Sequence, residues 1–112
     1  MATGSYVMRD AYYEQQLILT LSRSKATVTW VLSLQSTGSM YATLTANISG
    51  STSASKSYSI SQGAAFTQQI ASGSFSNNAA VTVHASSTMF WGGTCTVSAS
   101  LGSGTPAPGT PQ

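Results

Sequence analysis

The chain has 112 residues carrying four Lys/Arg, two Asp/Glu and one His, for a formal net charge of +2. From Gln15 to Gln112 no carboxylate side chain occurs, which excludes acid–base pairs, calcium or magnesium cages and carboxylate-oriented triads from almost the whole length. The cations Arg9, Arg23, Lys25 and Lys56 are too few and too scattered to supply the clustered phosphate contacts of a nucleic-acid binder, and no run approaches the roughly 18 apolar residues of a membrane span.

A chain of this length fits one domain around one core. Serine and threonine number 36, but they alternate with Val, Leu, Ile and Ala rather than forming a polar tract, so disorder is not expected. The scarcity of Glu, Lys and Arg also argues against helices, whose solvent faces draw on those residues, and for sheets, which accept Thr and Ser. Cys95 stands alone, so no intrachain disulfide supports the fold. The opening Met1-Ala2-Thr3-Gly4 has no apolar signal region, and synthesis in the cytoplasm without a signal peptide is the expectation.

Along the chain, Tyr12 to Ser22 reads either as a strand that groups Tyr13, Gln15, Leu17, Leu19 and Leu21, or as a helix capped by Asp10 that stacks Leu17, Ile18 and Leu21. Strand is preferred, because a lone helix has little to pack on in an all-β neighbourhood. Ala26, Val28, Trp30, Leu32 and Leu34 share one face of the next strand, and Gly38 marks a turn. Met40, Ala42, Leu44, Ala46 and Ile48 repeat the pattern up to Ser49-Gly50-Ser51. Weaker alternation follows at Lys56, Tyr58 and Ile60, then at Phe66, Gln68 and Ile70. The clearest pair comes last: Ala79, Val81, Val83 and Ala85 on one strand, Cys95, Val97, Ala99 and Leu101 on the other, joined by a loop from Ser87 to Gly93. Seven or eight short strands between Gly/Ser turns predict an all-β, antiparallel β-sandwich, immunoglobulin-like or jelly-roll-like, over residues 1–101. Residues 102–112 hold all three prolines and read as a Gly/Thr/Pro-rich linker or tail.

Few residues carry chemistry. On one strand, Asp10 and Glu14 lie about 13 Å apart, outside the roughly 5–9.5 Å window of a glycosidase pair, whereas a helix turn would bring them close enough; the simpler reading is two solvated residues near the N-terminus. His84 shares a face with Thr82 and Ser86 and has no Asp or Cys to complete a triad or zinc site. Cys95 follows the parity of Val97 and is expected as a small buried hydrophobe. Trp30 is expected in the core. Trp91, followed by Gly92-Gly93, is placed to stack on a sugar or anchor in a partner, with Phe90 and Tyr58 as further contact aromatics. Asn47-Ile48-Ser49 matches a glycosylation sequon, a match that arises by chance in such a chain. No catalytic residue, metal ligand or cofactor site is assigned. The edge strands offer only scattered Lys and Arg and no proline before Pro106, so neighbours in an oligomer are expected to cover them.

The runs Ser59-Ile60-Ser61-Gln62-Gly63, Ile70-Ala71-Ser72-Gly73-Ser74-Phe75-Ser76-Asn77-Asn78 and Ala80-Val81-Thr82-Val83-His84-Ala85-Ser86, with Thr94-Cys95-Thr96-Val97-Ser98-Ala99-Ser100-Leu101, resemble the Ser/Thr-rich β-sandwich repeats of minor tail and tail-fibre proteins of long-tailed bacteriophages. The resemblance covers residues 26–101 and transfers no functional residue. Such repeats often carry an Asp-Gly turn where Asn77-Asn78-Ala79 stands here. It implies a non-enzymatic virion component of tail or surface, partnered by other virion proteins and by copies of itself, with weak adhesion to a host-surface glycan. The alternative is a carbohydrate-binding module of a larger secreted or cell-wall-directed protein. Glycan-array binding abolished by Trp91→Ala is the expected outcome for the module, and no array signal is the expected outcome for a pure assembly domain.

Overall fold

The computed structural model describes residues 3–12 as backbone, and residues 15–89 and 92–101 in full. The described residues form eight strands: β1 (Thr3–Tyr12), β2 (Gln15–Ser24), β3 (Thr27–Ser36), β4 (Met40–Gly50), β5 (Ala54–Gln62), β6 (Phe66–Ser76), β7 (Val81–Thr88) and β8 (Thr94–Leu101). They form two four-stranded sheets, β1-β2-β3-β6 and β5-β4-β7-β8, in which every pairing is antiparallel. The sheets pack face to face as an antiparallel β-sandwich. From Gln15 to Ser22 the chain is strand, paired on both sides, and the helical option is excluded there by that ladder; Tyr12 ends β1, and Tyr13 and Glu14 lie outside the described residues.

Alternation places the core. Leu17, Leu19 and Leu21 of β2, and Val28, Leu32 and Leu34 of β3, are fully buried. They join Met40, Leu44, Ala46 and Ile48 of β4, Val81, Val83 and Ala85 of β7, and Cys95, Val97, Ala99 and Leu101 of β8 in one cluster. Each buried large aliphatic side chain is worth roughly 1.5–3 kcal/mol against exposure. Trp30 lies in this layer at 4% exposure. Its indole crosses Gly73, the residue opposite it on β6, so closely that a Cβ there would meet Cζ2 and Nε1 at 2.8 Å. The glycine is what lets the largest side chain of β3 lie flat between the sheets.

Four features differ from the sequence reading. An N-terminal strand, β1, precedes the first one expected, and Asp10 lies on it; Glu14 falls outside the described residues. The register of β6 against β3 shifts at Leu32/Ser33, so that Leu32 opposes Ala71 while Ser33 opposes Gln69, and Ile70 is the extra, bulged residue. The inward positions therefore change from Phe66, Gln68 and Ile70 to Ala71, Gly73 and Phe75, which is why no single period runs through this strand. Strand β7 continues to Thr88, so Ser87 is a buried strand residue rather than the start of a loop. Ala79 is exposed and precedes β7.

Among the described residues one charge lies inside the sandwich, that of Arg23. It follows the inward parity of Leu17, Leu19 and Leu21 and is 2% exposed at the end of β2. Nη1 donates to the Asn77 carbonyl at 2.5 Å and Nη2 to that of Ala79 at 2.8 Å, while Nε has no partner. Those carbonyls lie in the crossover from β6 to β7, and the same turn is closed by Ala79 N donating to Asn77 Oδ1 at 2.8 Å and by Asn77 N donating to the Ala26 carbonyl at 2.8 Å. Hydrogen bonds from a charged donor are worth more than neutral ones, and here they tie one sheet to the other.

A Gly73→Ala substitution is expected to force the indole of Trp30 aside and to destabilise the chain by about 1–3 kcal/mol. Denaturant unfolding checks this: the midpoint falls while the slope is retained.

Candidate functional site

The sandwich is closed on one side and open on the other. Strand β8 approaches β1 and β2 closely, whereas β5 and β6 barely meet. Between the last two lies a cleft of about 470 Å³, with Trp30, Ile70 and Ala71 at its floor and Lys56, Gln69 and Ser72 at its rim. Lys56 occupies an inward position of β5, in step with the buried Tyr58 and Ile60, yet it is exposed. An inward-pointing charge and a bulge are two of the devices that discourage edge-to-edge pairing, and here Lys56 and Ile70 face the same cleft. The edges are thus guarded at this point, contrary to the expectation from composition. The stretch of β6 beyond the bulge, from Ala71 to Ser76, has neither charge nor proline.

Of the aromatic residues proposed for partner contact, Phe90 and Trp91 lie outside the described residues. Tyr58 is 6% exposed, and its hydroxyl meets Ser87 Oγ at 2.6 Å. Ser87 Oγ donates its own proton to the Thr88 carbonyl at 3.0 Å, which leaves the Tyr58 hydroxyl as donor in the shared bond. Tyr58 is therefore a core residue with an internal partner and presents no ring to a ligand. Burial pushes its pKa above the usual tyrosine value; the Ser87 hydrogen bond opposes that shift, and the nearby Cys95 thiol adds to it. Among the described residues the large hydrophobic side chain exposed to solvent is instead Tyr41, on the outer face of β4.

That same outer face carries the second concavity, a depression of about 410 Å³ across β4, β7 and β8. Cross-strand register builds it from two rows: Ser49, His84 and Ser98, then Asn47, Ser86 and Thr96. The rows beyond it satisfy one another. Thr82 Oγ1 and Ser100 Oγ share a hydrogen bond at 2.9 Å on one side, and on the other Thr45 N donates to Thr88 Oγ1 at 2.9 Å. Gly50 fixes one end: with φ +107°, a Cβ there would lie 2.4 Å from the Thr82 carbonyl oxygen, so β4 runs hard against β7 beside the His84 ring. Ser51 N donates to that carbonyl at 2.9 Å.

His84 is exposed on β7, and no Asp or Glu side chain is among the fully described residues around it. No three His, Cys, Asp or Glu side chains among the described residues come together to hold a metal. Cys95 is buried with the apolar cluster. Asn47 points outward while Ile48 points into the core, as alternation requires. The depression was missed in the sequence because its rows join residues nearly forty positions apart, and only the β4–β7 register brings them together.

Comparison with protein-family models, with curated proteins and with solved structures returned no significant match.

The Tyr58–Ser87 pair yields an ordered outcome. Ser87→Ala strands a buried hydroxyl donor and is expected to cost about 1–3 kcal/mol, whereas Tyr58→Phe removes that donor together with its need and costs less. Because the folded-state pKa of Tyr58 is raised, its contribution to stability is complete below the ordinary tyrosine pKa, about 10, and is lost as pH rises through the folded value. Unfolding midpoints measured from neutral to strongly alkaline pH should fall less steeply in Tyr58→Phe than in the parent chain.

Proposed function

We propose that the chain is a non-enzymatic structural component of a virion, an immunoglobulin-like sandwich of the phage tail or surface that acts by assembly and by weak adhesion to the host. It is made in the host cytoplasm, and its partners are other virion proteins and further copies of itself. The observation that carries this reading is the far half of the β6 edge. Ala71 to Ser76 is an uncharged edge segment with serine at each outward position, next to an open side of the sandwich and past the bulge at Ile70, and Lys56 shares a cleft only with its first residues, Ala71 and Ser72. An edge strand presents unpaired backbone donors and acceptors, and a neighbouring strand satisfies them by continuing the sheet.

The side chains suit the same role. Ser72, Ser74 and Ser76 project outward, so a strand added at this edge meets no bulk and no charge. A second copy meets it symmetrically, because an antiparallel pair of identical segments is related by a two-fold axis. The resemblance to phage tail repeats supports the location, and the lack of carboxylates from Gln15 onward supports a role that needs no proton transfer.

Size-exclusion chromatography with light scattering should give an oligomer, and antibody labelling of the native particle should decorate the tail or surface. The double variant Ser72→Lys/Ser74→Lys places charges on the free edge and should shift the chain to monomer with little change in stability, since both positions are exposed. A parent chain that stays monomeric at high concentration and labels no particle would overturn the proposal.

A further inference from the structure

The outer face of sheet β5-β4-β7-β8 holds a site of a different kind. Asn47, Ser49, His84, Ser86 and Ser98 converge on the 410 Å³ depression, and none makes a side-chain hydrogen bond within the described chain. Their neighbours on the same face do: Thr82 with Ser100, Thr88 with Thr45, and Thr43 Oγ1 with Ser59 Oγ at 3.1 Å. Polar groups that hold only water exchange it for ligand hydroxyls at small cost, whereas groups already paired must first break a bond. Five such unpaired side chains thus meet at this depression.

We infer that this depression binds a neutral saccharide. Its lining decides the ligand class by what it offers. A carboxamide, an imidazole and a row of hydroxyls supply both donors and acceptors, which a polyhydroxylated ring can match at several points. No Lys or Arg lines it, so an anionic ligand finds no fixed counter-charge; no large apolar side chain projects into it, so a hydrophobic peptide finds no anchor. The backbone of β7, at the centre of the depression, is paired on both sides, so an added strand finds no free ladder there. The concavity is pre-formed, because Gly50 and the Ser51 N to Thr82 carbonyl bond hold the end of β4 against β7. Shallow, neutral contacts without a buried anchor give weak binding, on the order of millimolar.

This inference rests on the adhesion arm of the proposed function and is independent of assembly. The test is an NMR titration of the full ¹⁵N-labelled chain with cellotriose, maltotriose and chitotriose, with 3′-sialyllactose as the anionic comparison. The expected result is a response to at least one neutral trisaccharide confined to the amides of residues 47–49, 84–86 and 96–98. In Asn47→Ala/His84→Ala the affinity falls about tenfold or more, with the unfolding midpoint unchanged because both side chains are exposed. Ser72→Lys/Ser74→Lys should bind as the parent does. A neutral saccharide that responds elsewhere and is lost in Trp91→Ala but retained in the double variant overturns this site while leaving adhesion standing. Response to the sialylated probe alone overturns the ligand class, and no response to any of the four overturns both the site and the adhesion arm.

Discussion

Burial of one apolar layer between two sheets is the constraint on which everything else here depends. Cys95 is the single cysteine of the chain and lies deep in that layer, so no intrachain disulfide shares the load. What remains is alternation: every second residue of β2, β3, β4, β7 and β8 is turned inward, and the others are left for solvent. Because a sheet has a period of two, a single slip would exchange the two faces, and the hydroxyl-rich exterior exists only because the register holds. The Trp30–Gly73 contact and the Arg23 clamp on Asn77 and Ala79 both act on that register. One seats a large ring against the strand beside it, and the other fastens the crossover between sheets.

The same rule explains how much of the molecule could be read from its sequence. Strands with an uninterrupted period, such as Val28 to Leu34 or Val81 to Ala85, could be placed and oriented directly. Strand β6 could not, since the bulge at Ile70 moves the inward face from even to odd numbers and any single period fails across it. Strand β1 was illegible because its apolar residues run together at Tyr6-Val7-Met8 instead of alternating, with Arg9-Asp10 directly after them, and its place depends on the long ladder it makes with β2. Arg23 shows the opposite case. It shares parity with Leu17, Leu19 and Leu21, but a charge is buried only where partners satisfy it, and no carboxylate side chain follows Glu14 in the sequence. Backbone carbonyls, which composition does not reveal, resolve the conflict.

Functional features followed a similar division. Residue type alone marks Tyr58 as a contact aromatic but says nothing of its partner, and the Ser87 hydroxyl two strands away satisfies that ring's hydroxyl inside the core. The depression consists of residues unremarkable one by one; what distinguishes Asn47, Ser49, His84 and Ser86 is juxtaposition combined with the absence of mutual pairing, and both are properties of register. Long-range pairing also sets the open side. The bulge and Lys56 can oppose edge pairing together only because β5 and β6, consecutive in the chain, end on different sheets.

The two surfaces make compatible demands. Edge pairing draws on backbone groups of sheet β1-β2-β3-β6, whereas saccharide contact draws on side chains of the opposite sheet's outer face, so occupying one leaves the other open. Their strengths also complement each other. A neutral, shallow face exerts no long-range electrostatic pull and holds a single ligand briefly, which is of little use to an isolated domain. In an assembly the copies are held at fixed spacing, and each contact after the first becomes intramolecular, so avidity exceeds single-site affinity by about 10²–10⁴ where geometry permits. Weakness at each site then confers reversibility on an array that still holds as a whole. On the proposed reading the edge and the face would form one device, with assembly supplying the strength that the hydroxyl surface lacks.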